Sequence, residues 1–271
     1  MNNKHEIRLG QSIELLKQLH ILTRDGKMNQ DSRRKLKQVY HLYQFIEPLL
    51  NEIYATQQSI NLVDHGAGKS YLGFILYDLF FKNLNGNAHI YGIETREDLV
   101  TKSQALAENL QFREMSFLNL SVADSINSLL LPERIDIVTA LHACNTATDD
   151  AILFALSRRV QLIVLVPCCQ AEIAAILKKN KSQNIMSELW KHPIHGREFG
   201  SHLTNVLRCL HLEANGYSVS VTELVGWEHS MKNELIIARR INKENSKSAA
   251  KLKELLQSLG LEKILHQRFS I

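Results

Sequence analysis

The 271-residue sequence has little of what marks exported, membrane-inserted or disulfide-rich proteins. Its N-terminus has no apolar signal core, and no apolar run is long enough to cross a bilayer. The few cysteines match neither paired zinc-ribbon spacing nor a secreted disulfide framework; they are Cys144, Cys168, Cys169 and Cys209. We therefore expect a cytoplasmic protein with reduced thiols and no membrane partner.

The excess of positive charge is also small. A formal net charge of +4 does not by itself indicate nucleic-acid binding. Its distribution is uneven, because residues 24–37 and the stretch from Arg239 onward both carry more basic than acidic side chains. Such segments are compatible with solvated helix faces and with contact to a polyanionic substrate.

A glycine-containing turn follows the apolar run that ends at Asp64. The turn reads Asp64-His65-Gly66-Ala67-Gly68-Lys69-Ser70, and a helical pattern follows, which predicts a strand, a tight turn and a helix. Gly66 and Gly68 can take positive φ and have no Cβ, so the backbone can approach a ligand at the start of the helix. The same glycines are also compatible with a plain turn between a core strand and a helix. A P-loop is disfavoured because its first glycine would fall on Val63.

The order of apolar patterns predicts an α/β fold with seven strands. Helical periodicity dominates residues 1–55, with Pro48 expected to bend or weaken the second helix near its end. Strands are expected at residues 60–64, 89–94, 115–120, 135–141, 160–166, 217–225 and 234–239. The first five alternate with helices, which predicts a mainly parallel sheet, and the last two form a terminal hairpin with an antiparallel strand.

A basic helix is expected at about residues 246–259, with Gly260 as its C-cap. We therefore divide the chain into a helical N-terminal extension (1–55), a main domain (56–241) and a basic C-terminal helix and tail (242–271).

Glu94 ends the second predicted strand, where an acidic side chain can accept hydrogen bonds from two ribose hydroxyls. A nicotinamide-dependent enzyme would share this acid and the glycine turn, but it would leave three later segments unexplained. These are Leu141-His142-Ala143-Cys144-Asn145-Thr146-Ala147-Thr148-Asp149-Asp150, Val166-Pro167-Cys168-Cys169-Gln170 and Glu228-His229-Ser230-Met231-Lys232-Asn233.

Together with the glycine turn, these segments resemble class I S-adenosylmethionine-dependent methyltransferases. The seven strands with a terminal hairpin are similar to the Rossmann-like sheet of that superfamily. The closer resemblance is to the branch of methyltransferase-domain proteins related to the glutathione S-transferase C-terminal-domain-containing protein. It covers about residues 60–240 and the helix that contains residues 35–38.

The resemblance implies S-adenosylmethionine as the cofactor. The residues that it assigns to the cofactor are Asp64, His65, Gly66, Ala67, Gly68, Lys69, Ser70, Glu94, Ser121, Val122 and Leu141. Asp64 and the glycine-turn backbone would hold the methionine part, Glu94 the ribose, and Ser121 with Val122 the adenine. The sequence departs from the family's pattern at three positions: a third glycine is common at Ser70, an acid at Ser121, and an aspartate at Asn145.

The same resemblance implies that the chemistry lies after the fourth and fifth strands, since ligands bind at the carboxyl ends of strands in open α/β sheets. The predicted catalytic residues are His142, Cys144, Asn145, Pro167, Cys168, Cys169 and Gln170. His142 is the natural base, although a histidine satisfied by backbone carbonyls fits the pattern as well. The cysteines are compatible with apolar packing, with metal binding beside His142, or with covalent catalysis by Cys168. No CxxC pair supports the metal, so no metal site is predicted.

A long insertion between the fifth and sixth strands contains aromatic and basic side chains that either line a substrate site or form an ordinary polar loop. The predicted substrate residues are Arg197, Arg208, Lys232 and Asn233. RNA, either tRNA or rRNA, is the predicted substrate, on the basic ends and on analogy. The alternative is a non-catalytic module that keeps the cofactor fold in order to contact RNA or protein.

Overall fold

The computed structural model describes residues 7–84, 86–141, 146–167, 171–179, 185–224 and 234–269. A single seven-stranded sheet has the order β3-β2-β1-β4-β5-β7-β6. Its strands are β1 (Ile60–His65), β2 (Ala88–Glu94), β3 (Met115–Asn119), β4 (Ile137–Leu141), β5 (Leu162–Val166), β6 (Tyr217–Glu223) and β7 (Glu234–Arg240).

The first five strands are parallel, and β7 runs antiparallel to both β5 and β6. This is the predicted mainly parallel sheet with an antiparallel strand in its terminal hairpin, and the strands coincide with those predicted except for small shifts at their ends. The order reverses direction between β1 and β4, so the carboxyl ends of these two strands flank a crevice where ligands bind in open α/β sheets.

Helices cover both faces of the sheet. They are α1 (Ile13–Gln18), α2 (Gln30–Gln57), α3 (Tyr71–Leu79), α4 (Glu97–Asn109), α5 (Val122–Ile126), α6 (Ala147–Ser157), α7 (Glu172–Lys179), α8 (Pro193–Ala214), α9 (Ser246–Ser258) and α10 (Glu262–Arg268). Short 3₁₀ helices lie at Phe81–Asn83 and Ile185–Trp190. One apolar cluster joins α2 and α3 to one face of the sheet, and a second joins α6 and α8 to the other. None of the helices in the described ranges has the length and apolar character needed to cross a membrane.

The long helix α2 lies in the helical N-terminal segment that the sequence predicted, and it contains Pro48. Asn29 caps it by accepting a hydrogen bond from the Ser32 N–H at 2.8 Å, and the helix continues through Pro48 to Gln57. A proline inside a helix costs about 3 kcal/mol because one hydrogen bond is lost. Buried apolar side chains on both sides of Pro48, among them Ile46 and Leu50, each contribute about 1.5–3 kcal/mol and offset that cost.

The C-terminal helices pack against the insertion after β5. Side chains of α9 and α10 share one apolar cluster with Ile173 and Leu177 of α7 and Leu207 of α8. The C-cap of α9 is Leu259, and the predicted glycine, Gly260, follows it with φ +65°. The Leu261 N–H donates to the Leu256 carbonyl at 2.8 Å and closes the helix end. Helix α10 follows this cap directly, although the sequence analysis found no role for the tail.

Candidate cofactor site

The glycine turn joins β1 to α3 at the crevice of the sheet. Gly66, Gly68 and Ser70 all have positive φ, at +67°, +58° and +47°. The Ala67 N–H donates to the Ile93 carbonyl at 2.9 Å, which ties the turn to β2. Ser70 therefore takes the left-handed conformation for which a third glycine would be the usual choice.

A buried polar network beneath the turn explains why a serine is tolerated there. The Asp64 carboxylate accepts hydrogen bonds from Ser70 Oγ at 3.0 Å and from Thr139 Oγ1 on β4 at 2.8 Å. A Cβ added at Gly73 would lie 2.4 Å from Ser70 Oγ, so the first turn of α3 needs a glycine at that position. A serine at this position lacks the conformational freedom of a glycine. Its hydroxyl group instead donates a hydrogen bond that fixes the Asp64 carboxylate.

Burial raises the pKa of the Asp64 carboxyl to about 6. The hydrogen bonds from Thr139, Ser70 and the Gly73 N–H act in the opposite direction, because they favour the ionised carboxylate. Asp64 therefore titrates close to neutral pH while it anchors the turn.

Glu94 lies at the end of β2, as predicted, and its carboxylate already has several donors. The Gly68 N–H donates to its Oε2 at 2.8 Å, and the Arg96 Nε donates to its Oε1 at 3.2 Å. Burial raises the pKa of Glu94, but the bonds from Arg96 and the Gly68 N–H outweigh that effect and lower the pKa below its usual value. Glu94 is therefore an ionised acceptor beside the glycine turn, and an acid at this position in the fold can accept hydrogen bonds from ribose hydroxyls.

Two cavities meet at Gly66 and Arg96. The smaller, about 400 Å³, lies over the ends of β2 and β3 and is lined by His65, Gly66, Ile93, Glu94, Thr95, Arg96, Leu120, Val122, Ala147 and Asp150. The larger, about 480 Å³, lies between the glycine turn and α2 and is lined by Leu19, Lys35, Gln38, Val39, Leu42, Asp64, Gly66, Ala67, Gly68, Lys69, Tyr71, Leu72, Ile75, Arg96 and Leu141. All the predicted cofactor residues except Ser70 and Ser121 line one of these two cavities.

Ser121 has a different task from the one predicted. It is the N-cap of α5, where its Oγ accepts from the Asp124 N–H at 3.2 Å and donates to the Asp124 carboxylate at 2.5 Å. The side chains beside it, Leu120 and Val122, line the smaller cavity instead. An adenine ring in this cavity would therefore meet apolar walls from these two residues.

His65 forms an uncharged wall of the smaller cavity. Its ring lies 5.3 Å from that of Phe154, and neither ring nitrogen has a hydrogen-bond partner among the residues that the structure describes. Burial lowers the pKa of His65 to about 4, and the neighbouring charge of Glu94 only partly opposes this effect. The imidazole is therefore neutral at physiological pH.

At the ends of β4 and β5, one predicted cofactor residue, Leu141, and one predicted catalytic residue, Pro167, are described. Leu141 ends β4 and lines the larger cavity, and Pro167 is buried directly after β5, the neighbour of β4 in the sheet. The other predicted catalytic residues, His142, Cys144, Asn145, Cys168, Cys169 and Gln170, lie outside the described residues, as do Lys232 and Asn233. Within the described ranges, no group of three or more histidine, cysteine, aspartate or glutamate side chains is arranged to hold a metal ion.

The two remaining substrate predictions differ in outcome. Arg197 is exposed near the start of α8, next to Glu198 at 3.2 Å. Arg208 requires a correction, because its side chain is fully buried and its Nε donates to Asp149 Oδ1 at 2.6 Å. It has no surface with which to meet a substrate, and its role is in the core.

A sequence family described as "Methyltransferase domain" matches residues 34–176, which is more than half of the chain and runs from α2 into α7. The chain belongs to this methyltransferase-domain family. For a chain of this family, the resemblance in sequence predicts S-adenosylmethionine as the cofactor. No protein of curated function matches the sequence significantly.

Solved structures with a similar fold include three methyltransferases. Magnesium protoporphyrin IX methyltransferase from Synechocystis PCC 6803, with bound S-adenosylmethionine, is 14% identical, has a TM-score of 0.45, and the match covers 84% of this chain and 90% of that chain. An S-adenosylmethionine-dependent methyltransferase from Aquifex aeolicus is 16% identical, with a TM-score of 0.42 and coverage of 71% and 87%. An rRNA methylase from Streptococcus thermophilus is 11% identical, with a TM-score of 0.40 and coverage of 67% and 87%.

The chemistry of the site fits the predicted cofactor, S-adenosylmethionine. The smaller cavity offers a carboxylate for the ribose hydroxyls at Glu94 and apolar walls for the adenine. The glycine turn lies between the two cavities, where a Cβ at Gly68 would point toward the Arg96 guanidinium at 3.8 Å. The methionine part would then extend along Gly66 to Gly68 into the larger cavity, toward Leu141 at the end of β4.

Several residues of the site were not assigned by the sequence analysis. Asp150 and Arg96 line the cofactor cavities, and Thr139 supports Asp64 from the middle of β4. Asp150 belongs to the segment that resembled the family, so its position could have suggested a role. Thr139 lies in an apolar strand with no local signal, and only the pairing of β1 with β4 brings it to Asp64.

Proposed function

We propose that the protein transfers the methyl group of S-adenosylmethionine to RNA, with tRNA or rRNA as the substrate class, in the cytoplasm. The observation that carries the proposal is the larger cavity. Its walls are mostly apolar, and the basic side chains of Lys35, Lys69 and Arg96 line it beside the glycine turn. This combination suits a nucleobase on the apolar wall and phosphate groups on the cations.

Helix α2 supplies one wall of this cavity from a single face. Lys35, Gln38, Val39 and Leu42 are spaced at i, i+3, i+4 and i+7, so they lie in one stripe along the helix. The preceding turn of the helix adds further basic side chains, including Arg33 and Arg34. The basic N-terminal segment therefore continues from the solvent to the edge of the cofactor site.

The basic side chains that line this cavity differ in whether they form ion pairs. Lys35 is paired with Asp31 at 2.8 Å, and Arg96 is paired with Glu94. Lys69 is exposed and has no ion-pair partner in the described part of the chain. An anion that approaches the turn, such as the cofactor's carboxylate or an RNA phosphate, would therefore meet Lys69 without first breaking an ion pair.

Methyl transfer depends more on the positioning of the acceptor than on the strength of an acid or a base in the site. S-adenosylmethionine supplies an electrophilic methyl group, and the protein must hold an acceptor in line with the bond that breaks and keep water away. His142 as a base and Cys168 as a nucleophile remain proposals from the sequence. The resemblance to the branch related to the glutathione S-transferase C-terminal-domain-containing protein supports the same assignment, since its characteristic segments follow β4 and β5.

A direct test is incubation of the purified protein with total cellular RNA and S-adenosylmethionine that carries a deuterated methyl group. Mass analysis of the digested nucleosides should show one methylated nucleoside with the heavy methyl group. The Gly68→Asp variant is the control, because its carboxylate would oppose Glu94 and occupy the turn, and it should transfer nothing.

Three other outcomes would contradict the proposal in different ways. No calorimetric binding of S-adenosylmethionine at millimolar concentration would remove methyl transfer altogether. Heavy methyl groups found in protein or small molecules, but not in RNA, would keep the enzyme and overturn the substrate. Cofactor binding without transfer to any of these pools would favour the non-catalytic module.

A further inference from the structure

The tail helix α10 ends in a side chain that joins two other helices. Arg268 Nη1 donates to Asp149 Oδ2 at 3.2 Å, and Arg268 Nη2 contacts Glu172 Oε2. Only about 15% of the Arg268 side chain is exposed, so both contacts are largely shielded from water. One guanidinium group thus bridges two carboxylates on different helices.

Both carboxylates lie in the first turns of helices that follow the central strands. Asp149 belongs to the first turn of α6, after β4, and Glu172 is the first residue of α7, after β5. The same turn of α6 carries Ala147 and Asp150, which line the smaller cavity. The carboxylate of Asp149 is bound by arginines of α8 and α10, while its neighbour Asp150 lines the cavity.

Buried side chains surround the bridge that Arg268 forms. Phe269 next to it is buried, with its ring 5.4 Å from that of His211 on α8. Arg208 binds the other oxygen of Asp149 from α8. Because both arginines bind a carboxylate that is almost fully buried, loss of either would leave Asp149 with one charged partner instead of two.

We propose that Arg268 is a positioning residue of the cofactor site. It acts through Asp149 and Glu172, and it fixes the start of α6, and with it Asp150, against the cofactor's adenosine part. The inference rests on the proposed function, since it assumes that this cavity takes the cofactor. It also gives the tail a role that the sequence did not show: α10 holds the helices after β4 and β5 in register with each other.

The test compares cofactor affinity with stability in matched variants. Calorimetric binding of S-adenosylhomocysteine and thermal unfolding would be measured for the wild type, Arg268→Ala, Arg268→Lys and Glu172→Gln. Arg268→Ala should weaken binding on the order of tenfold, as is typical for coupling between a remote group and a ligand site. Arg268→Lys should lose part of this affinity, because a lysine ammonium cannot bridge two carboxylates as a guanidinium does. Glu172→Gln should also lose part of it, because it removes one of the two carboxylates that Arg268 bridges.

Two controls separate positioning from general support of the fold. Leu252→Ala removes a buried side chain from the same C-terminal cluster without touching the ion pairs, so it should lower the unfolding temperature and leave the affinity unchanged. Lys263→Ala removes an exposed cation from α10 itself and should change neither quantity. If Arg268→Ala does not fold, Glu172→Gln carries the test, because the Glu172 side chain is 39% exposed and tolerates the change.

The result that overturns the inference is wild-type binding that Arg268→Ala and Glu172→Gln leave unchanged, or a Leu252→Ala variant that loses affinity in step with its stability. A wild-type protein that binds no S-adenosylhomocysteine would instead remove the proposed function, and the inference with it.

Discussion

The two cavities that meet at Gly66 and Arg96 are built in different ways. The polar groups around the smaller one are mostly bound: Glu94 accepts from the Gly68 N–H, and Asp149 behind its wall is held by two arginines. The larger one has an apolar wall from α2 and α3, and its charged groups include the exposed Lys69, which has no ion-pair partner among the described residues. Hydrogen bonds and ion pairs therefore fix the polar groups around the smaller cavity, whereas the larger cavity is formed mainly by apolar packing.

The two cavities therefore differ in origin: the smaller one follows from the topology of the sheet, and the larger one depends on the N-terminal extension of this chain. Strand order and the glycine turn bring together the groups around the smaller cavity, so any sheet of this topology would assemble them. The larger cavity depends on α2, which belongs to the N-terminal extension. Specificity for an acceptor is thus expected on the larger cavity, and variants should affect the two cavities differently.

The largest expected effect comes from breaking the buried pair behind the smaller cavity. Arg208→Ala leaves Asp149 with one partner fewer in the core and should cost about 3–5 kcal/mol of unfolding free energy in urea denaturation. Arg239→Ala is the matched control, because Arg239 pairs with Glu52 at 2.6 Å in an exposed setting and should cost less than about 1 kcal/mol. Similar losses in both variants would mean that the buried pair has no special role.

A second effect concerns the pH dependence of Asp64 at the junction of the cavities. The folded protein binds the Asp64 proton more tightly than the unfolded chain does, since burial raises its pKa from 3.8 to about 6. Stability from this group is therefore lost as pH rises from about 4 to about 6, by about 3 kcal/mol in total.

Asp64→Asn removes this titration. The stability difference between wild type and Asp64→Asn should therefore change in favour of the wild type as pH falls from 7 to 4.5, as followed by urea denaturation at each pH. A difference that stays constant across this range would show that Asp64 does not titrate there.

The turn itself can be broken by a single methyl group. Gly73→Ala places a Cβ against Ser70 Oγ and should cost about 1–3 kcal/mol by overpacking. In the Ser70→Ala background the clash is absent, so Gly73→Ala should cost clearly less, as measured in a double-mutant cycle. Additive losses would place the strain elsewhere than at Ser70.

The sequence predicted the sheet well because each strand is a short apolar run between turn signals, and the terminal hairpin was visible as two runs with one link. It predicted Glu94 and the glycine turn because their chemistry is local to the ends of β1 and β2. It misread Ser121 and Arg208, since a helix cap and a buried ion pair are set by partners that the surrounding sequence does not reveal. It also gave α10 no role, because the ion pairs of Arg268 form only when α6 and α7 pack beside α10.

The smallest expected effect tests the larger cavity alone. Lys69→Ala removes an exposed cation from its mouth, so it should weaken RNA binding only a few-fold and lower the slope of log affinity against log salt by about one. Its affinity for S-adenosylhomocysteine should change less than its affinity for RNA. Lys253→Ala, an exposed cation on α9 away from both cavities, is the control, with fluorescence anisotropy of a labelled RNA as the measurement. Equal losses of RNA affinity in the two lysine variants would mean that RNA is attracted by overall charge. The assignment of the larger cavity as the binding site of the acceptor would then be wrong.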